Sequence, residues 1–210
     1  MTIRIQIALY KRIIEKGETI TAQAQHTAVW LCSGYACFGK KILKTGDGCY
    51  LGTSNISPVE DRSQVLCFEI NKTHQKIQLE NKAQLLLESV FEWPDQEAVL
   101  RLDRVTFPKG AIAYRHLHTG AGIRYLTKGQ LEICSDHLKE QMKPREAWFE
   151  NANSPVTATA SVTETSEFIR ALILPLEYKG KPTIKFLNPE DIEKPKLQKN
   201  HRFFDQLVSF

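Results

Sequence analysis

The sequence lacks the long apolar segments that membrane and secreted proteins carry. No run within its 210 residues approaches the roughly 18 apolar residues that span a bilayer. Basic side chains at positions 4, 11, 12 and 16 interrupt the N-terminal segment, which also lacks a small-residue cleavage site. We therefore expect a soluble, cytoplasmic protein with no membrane partner.

Cysteine is scarce and irregularly spaced. The five cysteines are odd in number and form no Cys-x-x-Cys pair, so they are interpreted as reduced, mostly buried small hydrophobic residues. A zinc site built from Cys32 and Cys37 would have four intervening residues and no matching second pair. The cysteine pattern therefore argues against both a disulfide framework and a zinc site.

Neither sign of charge dominates. Lys and Arg number 28 against 24 Asp and Glu, a formal net charge of +4. The visible concentration of charge, Glu190–Lys199, mixes Lys, Glu and Pro, which is typical of a solvated extended segment rather than a phosphate-binding stripe. Nucleic acid is therefore not an expected partner.

Long helical periodicity is nearly absent, and short alternating or β-branched runs separated by turn residues take its place. The strand candidates are Thr27–Cys32, Tyr35–Phe38, Val65–Ile70, Val99–Phe107, Ile123–Thr127, Gln130–Cys134, Val156–Val162 and Phe168–Leu174. Ile7–Glu15 is a candidate amphipathic helix, and His201–Phe210 a candidate C-terminal helix or extended arm. Many short strands at near-regular spacing predict an all-β sandwich or barrel.

A weak internal repeat relates the two halves of the chain. Residues 29–50 and 124–148 each run as strand, glycine turn, strand, turn and strand, with the glycine turns at Gly34 and Gly129. Two copies of one β unit predict two small barrels joined near Trp93.

The repeat divides the chain into three parts. We expect an N-terminal barrel over residues 1–93, a C-terminal barrel over 94–178 and a tail over 179–210. The tail is long for a barrel terminus, and its prolines exclude a continuous helix. Its apolar end, Phe203–Val208, is expected to wrap the first barrel or a second subunit.

Two histidines, His116 and His118, stand two positions apart in the strand-like part of the second half. Residues at i and i+2 of a strand point to the same face, so the two imidazoles can converge on one ion inside a barrel. Strand histidines are also often half-buried polar residues without a ligand. The pair is therefore a candidate metal half-site.

The spacing around this pair resembles the first motif of the cupin superfamily, G-x5-H-x-H-x3-E-x6-G. Gly110, His116, His118 and Gly129 stand at the motif's positions, and Gly122 stands where the family carries a glutamate ligand. The second motif, P-x-G-x2-H-x3-N, is matched by Pro144 and Asn153, with Glu146 and Phe149 in place of its glycine and histidine. The resemblance implies an all-β chain of two cupin barrels in tandem, with two of the four usual metal ligands present.

The first half carries weaker signs of a site. Thr21, Gln23 and Thr27 stand at its corresponding ligand positions, and none is a good ligand for a transition metal. We therefore interpret the first barrel as structural and without a metal. His26 is out of register with these positions and is interpreted as an exposed or turn histidine.

Three further residues are candidates for the second site. Glu150 would complete a two-histidine, one-carboxylate face, or it is a surface acid after an aromatic pair. Tyr114, two residues before His116, would share its strand face and exchange a proton there, or it is a plug of the barrel. Arg124 would turn inward to hold a substrate carboxylate or pair with Glu150, unless a glycine bulge turns it to solvent.

Three functions remain open for this cupin-like chain. The first is a metal-dependent enzyme, oxygenase-like or isomerase-like, in which His116 and His118 hold Fe, Mn, Ni or Zn, weakly if at all. The second is a metal-free cupin that uses His116 or Tyr114 as acid or base, and the third is a non-catalytic binding module. We expect a small, anionic ligand, and a homodimer formed through sheet edges or the tail.

Overall fold

A computed structural model of the chain describes residues 2–73, 82–136 and 139–210. Its chain contacts define two compact units, Met1–Glu97 with Val208–Phe210, and Ala98–Leu207. The strands that begin in the first unit are β1 (Ile3–Glu15), β2 (Ile20–Thr21), β3 (His26–Ser33), β4 (Tyr35–Phe38), β5 (Lys41–Lys44), β6 (Gly48–Tyr50), β7 (Asn55–Pro58), β8 (Arg62–Lys72), β9 (Ala83–Trp93) and β10 (Glu97–Phe107).

The remaining strands follow β10 along the chain. They are β11 (Ile112–His118), β12 (Ala121–Lys128), β13 (Leu131–Ser135), β14 (Lys139–Met142), β15 (Ala147–Glu150), β16 (Val156–Ala160), β17 (Ser166–Leu174), β18 (Ile184–Phe186) and β19 (Lys199–Ser209). A 3₁₀ turn, Leu176–Tyr178, and a one-turn helix, α1 (Pro189–Ile192), lie between β17 and β19. The all-β fold expected from the sequence is confirmed. No helix of the described residues is long and apolar enough to cross a membrane.

The two units repeat one strand order. The first unit contains the sheets β6-β3-β8-β1-β9 and β2-β7-β4-β5, and the second contains β15-β12-β17-β10-β19 and β14-β13-β16-β11-β18. The glycine turns of the repeat have positive φ angles, 89° at Gly34 and 74° at Gly129. A Cβ at Gly129 would lie 2.4 Å from the backbone oxygen of Thr165, so this turn requires glycine.

The units differ at one strand position. The first unit has only the two-residue β2 where the second has the seven-residue β11, and β11 is flanked by an additional strand, β18. The barrel interior of the second unit is apolar on one side, where Phe107, Leu126, Ile133, Trp148 and Phe168 belong to one buried cluster. The histidine strand β11 is therefore longer than its counterpart β2 and has an additional neighbour, β18.

Two segments differ from their sequence interpretation. Ile7–Glu15 is not a helix but most of β1, which pairs with β8 on one side and β9 on the other. The register with β9 shifts between Leu9 and Tyr10, and the four consecutive residues from Ile7 to Tyr10 are all buried in this central strand, so its sequence lacks the period of two that indicates a strand. His201–Phe210 takes the extended alternative, as nearly all of it lies in β19.

The tail supplies strands to both sheets of the second unit. β18 pairs with β11, and β19 lies beside β10, so residues 184–207 complete this unit's own sheets instead of wrapping the first barrel. The last residues belong to the first unit, where His26 Nε2 donates to the Ser209 oxygen at 2.9 Å and Nδ1 accepts from Tyr50 Oη at 2.9 Å. His26 is consequently a buried strand residue, 9% exposed, and not an exposed or turn histidine.

Candidate functional site

A cavity of about 290 Å³ lies inside the second unit. Its apolar wall comes from the barrel strands and includes Phe107, Ile133, Trp148 and Phe168. Its polar side contains the two histidines and a set of charged residues. Basic residues outnumber acidic ones in the lining: Arg101, Arg124, Arg170, Lys196 and Arg202 against Glu150.

His116 and His118 lie on β11 and both line this cavity, where they are 3% and 7% exposed. Their Nε2 atoms are 3.1 Å apart. His116 Nδ1 lies 2.6 Å from the Tyr114 carbonyl oxygen, which can only accept, so Nδ1 carries the hydrogen. β18 pairs with β11 along its edge, with His116 opposite Phe186 and His118 opposite Ile184.

Both imidazoles are neutral. Burial lowers the pKa of His116, and burial together with the neighbouring Arg170 lowers the pKa of His118 well below its ordinary value. Neutral His116 therefore accepts at Nε2, and His118 Nε2–H donates to it. His118 Nδ1 is then left to accept from the Thr183 hydroxyl at 3.4 Å. Each of the four ring nitrogens therefore donates or accepts one hydrogen bond, in a chain that runs from Thr183 through His118 and His116 to the Tyr114 carbonyl.

Arg124 and Glu150 form a buried ion pair at the polar side of the cavity. Arg124 Nη2 lies 2.8 Å from Glu150 Oε2, and the guanidinium is 1% exposed. The two atoms are not aligned for a hydrogen bond, so each keeps a hydrogen-bonding direction free. Burial lowers the pKa of Arg124 to about 10, which leaves it charged at neutral pH. The strand parity that turned Arg124 inward thus brings it onto the carboxylate of Glu150.

Glu150 stands directly across from Gly122, the position where the cupin motif carries its glutamate. Opposite residues of an antiparallel pair extend to the same face, so the carboxylate enters the cavity from the neighbouring strand. A Cβ at Gly122 would lie 2.0 Å from the Ala171 oxygen. Position 122 therefore has no room for a side chain, and a glutamate substituted there could not be accommodated without moving β17.

The structure does not bring Tyr114 into the site. The register of β11 against β16 shifts between Ala113 and His116, and Ala113, His116 and His118 are the residues of this strand that line the cavity. The irregularity moves Tyr114 off the face it would share with His116. Its ring instead lies under Lys194 Nζ, 4.7 Å from the ring centroid.

Arg170, on β17, is a cavity residue that the sequence did not single out. Its Nε and Nη2 donate to Asp103 at 2.6 and 3.0 Å, and Asn200 Nδ2 donates to the same carboxylate at 2.8 Å. Its third nitrogen, Nη1, lies 3.5 Å from His118 Nε2 and donates to no carboxylate in the described part of the chain. A charged residue inside the apolar run Phe168–Leu174 was the signal that could have identified it.

The tail contributes the remaining polar lining. Thr183 reaches His118, and the cavity is also lined by Gln198, directly before β19, and by Asn200 and Arg202 within β19. Gln198 Oε1 and Arg202 Nε are buried without a hydrogen-bond partner among the described residues. The cavity is thus built from barrel and tail together.

The donor set does not fit a transition metal in this arrangement. Two nitrogens 3.1 Å apart could both lie about 2.1 Å from one ion. Here, however, these two nitrogens form a hydrogen bond with each other. The nearest carboxylate oxygen, Glu150 Oε2, is 4.0 Å from His118 and paired with Arg124, while the Arg170 cation faces the same nitrogen. Across the described residues, no group of three or more His, Cys, Asp or Glu side chains is placed to share an ion.

The chain matches no family model and no curated protein, whereas solved structures share its fold. An oxalate decarboxylase from Lactobacillus farciminis covers 92% of this chain and 82% of its own, with 9% identity and a TM-score of 0.57. AerE from Microcystis aeruginosa covers 80% and 88%, with 13% identity and a TM-score of 0.55. A cupin 2 conserved barrel domain protein from Leptotrichia buccalis covers 82% and 88%, with 14% identity and a TM-score of 0.48. Together with the spacing of the cupin motif and the repeated strand order, the first two likenesses show that the chain has the cupin fold, with two barrels in tandem.

Proposed function

We propose that the second barrel binds a small organic anion in its cavity, beside a histidine pair that works without a metal. The observation that carries this proposal is Arg170 Nη1. It is a charged donor on a side chain that is 8% exposed, it faces the cavity, and the two other nitrogens of the same guanidinium are held by Asp103. A guanidinium fixed in this way is pre-organised for an anionic group.

Charge supports an anionic ligand. Five basic side chains line the cavity, and four of them are paired with only three carboxylates, Glu150, Asp103 and Asp205, the last of which is shared by Arg101 and Arg202. An excess of two positive charges remains beside neutral histidines. The apolar wall opposite indicates that the ligand also has a hydrophobic body, as is usual where a few polar groups orient a molecule in a mostly apolar site.

His118 Nδ1, whose contact with the Thr183 hydroxyl is long at 3.4 Å, is the nitrogen of the pair that could accept a proton, which an isomerase-like reaction would need. A metal-dependent reaction on the same two histidines stays a second candidate. The 3.1 Å separation of their Nε2 atoms favours it, but it requires Glu150 to leave Arg124 and Arg170 to move away from His118.

Calorimetric titration with phenylacetate and with the neutral phenylacetamide tests the proposal. Because a hydrogen bond to a charged group contributes about 1.5–3 kcal/mol, we expect the anion to bind roughly ten- to hundredfold more tightly than the amide. The double variant Arg170→Gln with Asp103→Asn, which keeps the site neutral, should remove this difference. Arg104→Gln is the matched control, since Arg104 pairs with Glu167 near the surface and does not line the cavity. Equal affinity for anion and amide would refute the proposal.

A further inference from the structure

The buried polar atoms that lack partners around the cavity are of both kinds, donors and acceptors. The donors are Arg124 Nη2 and Arg202 Nε. Arg170 Nη1 is a further donor at the cavity, which faces His118 Nε2 at 3.5 Å and donates to no carboxylate among the described residues. The acceptors are Glu150 Oε2 and Gln198 Oε1. An unsatisfied buried group costs free energy comparable to a lost hydrogen bond, so a well-matched ligand supplies acceptors to the first set and donors to the second.

A simple carboxylate satisfies only half of this pattern, because it has acceptors and no donor. Glu150 Oε2, which has an ion pair with Arg124 but no hydrogen bond, would gain none from it. From this pattern of donors and acceptors we infer that the ligand is a hydroxy acid, whose carboxylate is held by Arg170 and whose hydroxyl donates to Glu150 Oε2. This inference rests on the proposed function, since it names the class of anion that the same cavity takes.

The positions of the two groups fit a hydroxyl close to the carboxylate. Arg170 Nη1 is 3.5 Å and Glu150 Oε2 is 4.0 Å from the same atom, His118 Nε2. The anchoring donor and the acceptor therefore both face one imidazole nitrogen on the polar side of the cavity, and a 2-hydroxy acid carries its two polar groups on adjacent carbons. The apolar wall at Phe107, Trp148 and Phe168 receives the rest of the molecule.

Charge distinguishes a hydroxyl from an amino group as the donor. An ammonium group would also reach Glu150, but Glu150 is already paired with Arg124, and the Arg170 cation faces the same His118 nitrogen as Glu150 does. A second cation at this place meets repulsion in a buried environment where charges are poorly screened. The neutral hydroxyl donor is therefore favoured over the amine.

Four ligands on one carbon frame test the inference: mandelate, phenylacetate, phenylglycine and mandelamide. Calorimetry on the unmodified protein should rank mandelate about tenfold above phenylacetate, with phenylglycine and mandelamide both weaker than mandelate. One mandelate enantiomer should bind better than the other, because three different surfaces contact the chiral carbon's substituents. The pair 2-hydroxyisocaproate and isocaproate repeats the comparison on an aliphatic frame, in case the aromatic ring does not enter.

Glu150→Asp is the matching variant, since it keeps the charge that Arg124 needs and withdraws the carboxylate by one methylene. It should reduce the preference for mandelate over phenylacetate to less than about threefold and leave the preference for phenylacetate over phenylacetamide intact. The doubly neutral variant Arg124→Met with Glu150→Met, which removes both charges and the acceptor oxygen, should behave in the same way if Glu150→Asp does not fold.

The outcomes separate the two proposals. If phenylacetate and isocaproate bind as tightly as their hydroxy counterparts, and more tightly than phenylacetamide, the hydroxy-acid inference is wrong and anion binding stands. If no anion of either frame binds, both fail. A hydroxyl preference that survives in Glu150→Asp and in the double variant would also overturn the role given to Glu150.

Discussion

Removing the charge of Asp103 should destabilise the second unit more than almost any other isosteric change in the chain. The carboxylate is fully buried and holds two nitrogens of Arg170, whose guanidinium is 8% exposed. Asp103→Asn keeps the shape but leaves this cation without its counter-charge. Breaking one partner of a buried pair costs about 3–5 kcal/mol, far more than the pair contributes over an apolar replacement.

The double variant Asp103→Asn with Arg170→Gln should therefore recover most of the loss. Both buried charges disappear together, and Gln and Asn can hydrogen-bond each other and Asn200. The expected coupling between the two sites is about 2–3 kcal/mol. Arg104→Gln on the same strand is the reference, because its pair with Glu167 is partly exposed and is worth less than about 1 kcal/mol.

The free energy of unfolding of the second unit alone is measured by amide hydrogen exchange in increasing urea, with mass spectrometry on peptides from residues 98–107 and 166–174. A scan of the whole chain would mix the two units. The reasoning fails if Asp103→Asn costs less than about 1 kcal/mol, or if the double variant loses as much as the two single variants added together.

Two further predictions concern the histidine pair. Folding lowers the pKa values of His116 and His118, so the second unit should be most stable above the unfolded histidine pKa near ~6.5 and lose stability as pH falls below it. Amide hydrogen exchange at pH 7.5 and 5.0 measures this loss. A double His→Gln variant whose stability falls equally with pH would contradict the reasoning. The hypothesis of a metal site is tested by calorimetric titration with Fe(II), Mn(II), Ni(II) and Zn(II). We expect weak binding at best, and a chelator should remove the ion. His116→Ala or His118→Ala should abolish the binding. Tight binding that survives both substitutions would place the ion elsewhere.

Alternation and glycine spacing predicted an all-β chain of two barrels, and the resemblance to the cupin motif predicted that the barrels are cupin barrels. The strands around Gly34 and Gly129 follow the expected order because a positive φ at each turn fixes where one strand ends and the next begins. The same parity put His116, His118 and Arg124 on an inward face. These are local properties, set by period two along a single strand.

The sequence did not predict side-chain positions that are set by pairing with a second strand. The irregularity between Ala113 and His116 arises from pairing with β16, and no feature of the sequence marks it, so Tyr114 was placed on the wrong face. Arg170 was passed over because its partner, Asp103, lies on β10, far away in sequence. Glu150 could be proposed as the acid, but its place opposite Gly122 follows from register.

The position of β18 has a consequence for how the site comes into being during synthesis. Residues 184–186 pair with residues 116–118, and the cavity's last lining residue is Arg202. A ribosome extends the chain from its N-terminus at about 5–20 residues per second, so the histidine strand emerges seconds before the strand that covers it. A nascent chain, or a fragment cut at the barrel boundary of residue 178, carries both histidines without Thr183, Gln198 or Asn200 beside them. Binding should therefore begin only after residue 202 has been made.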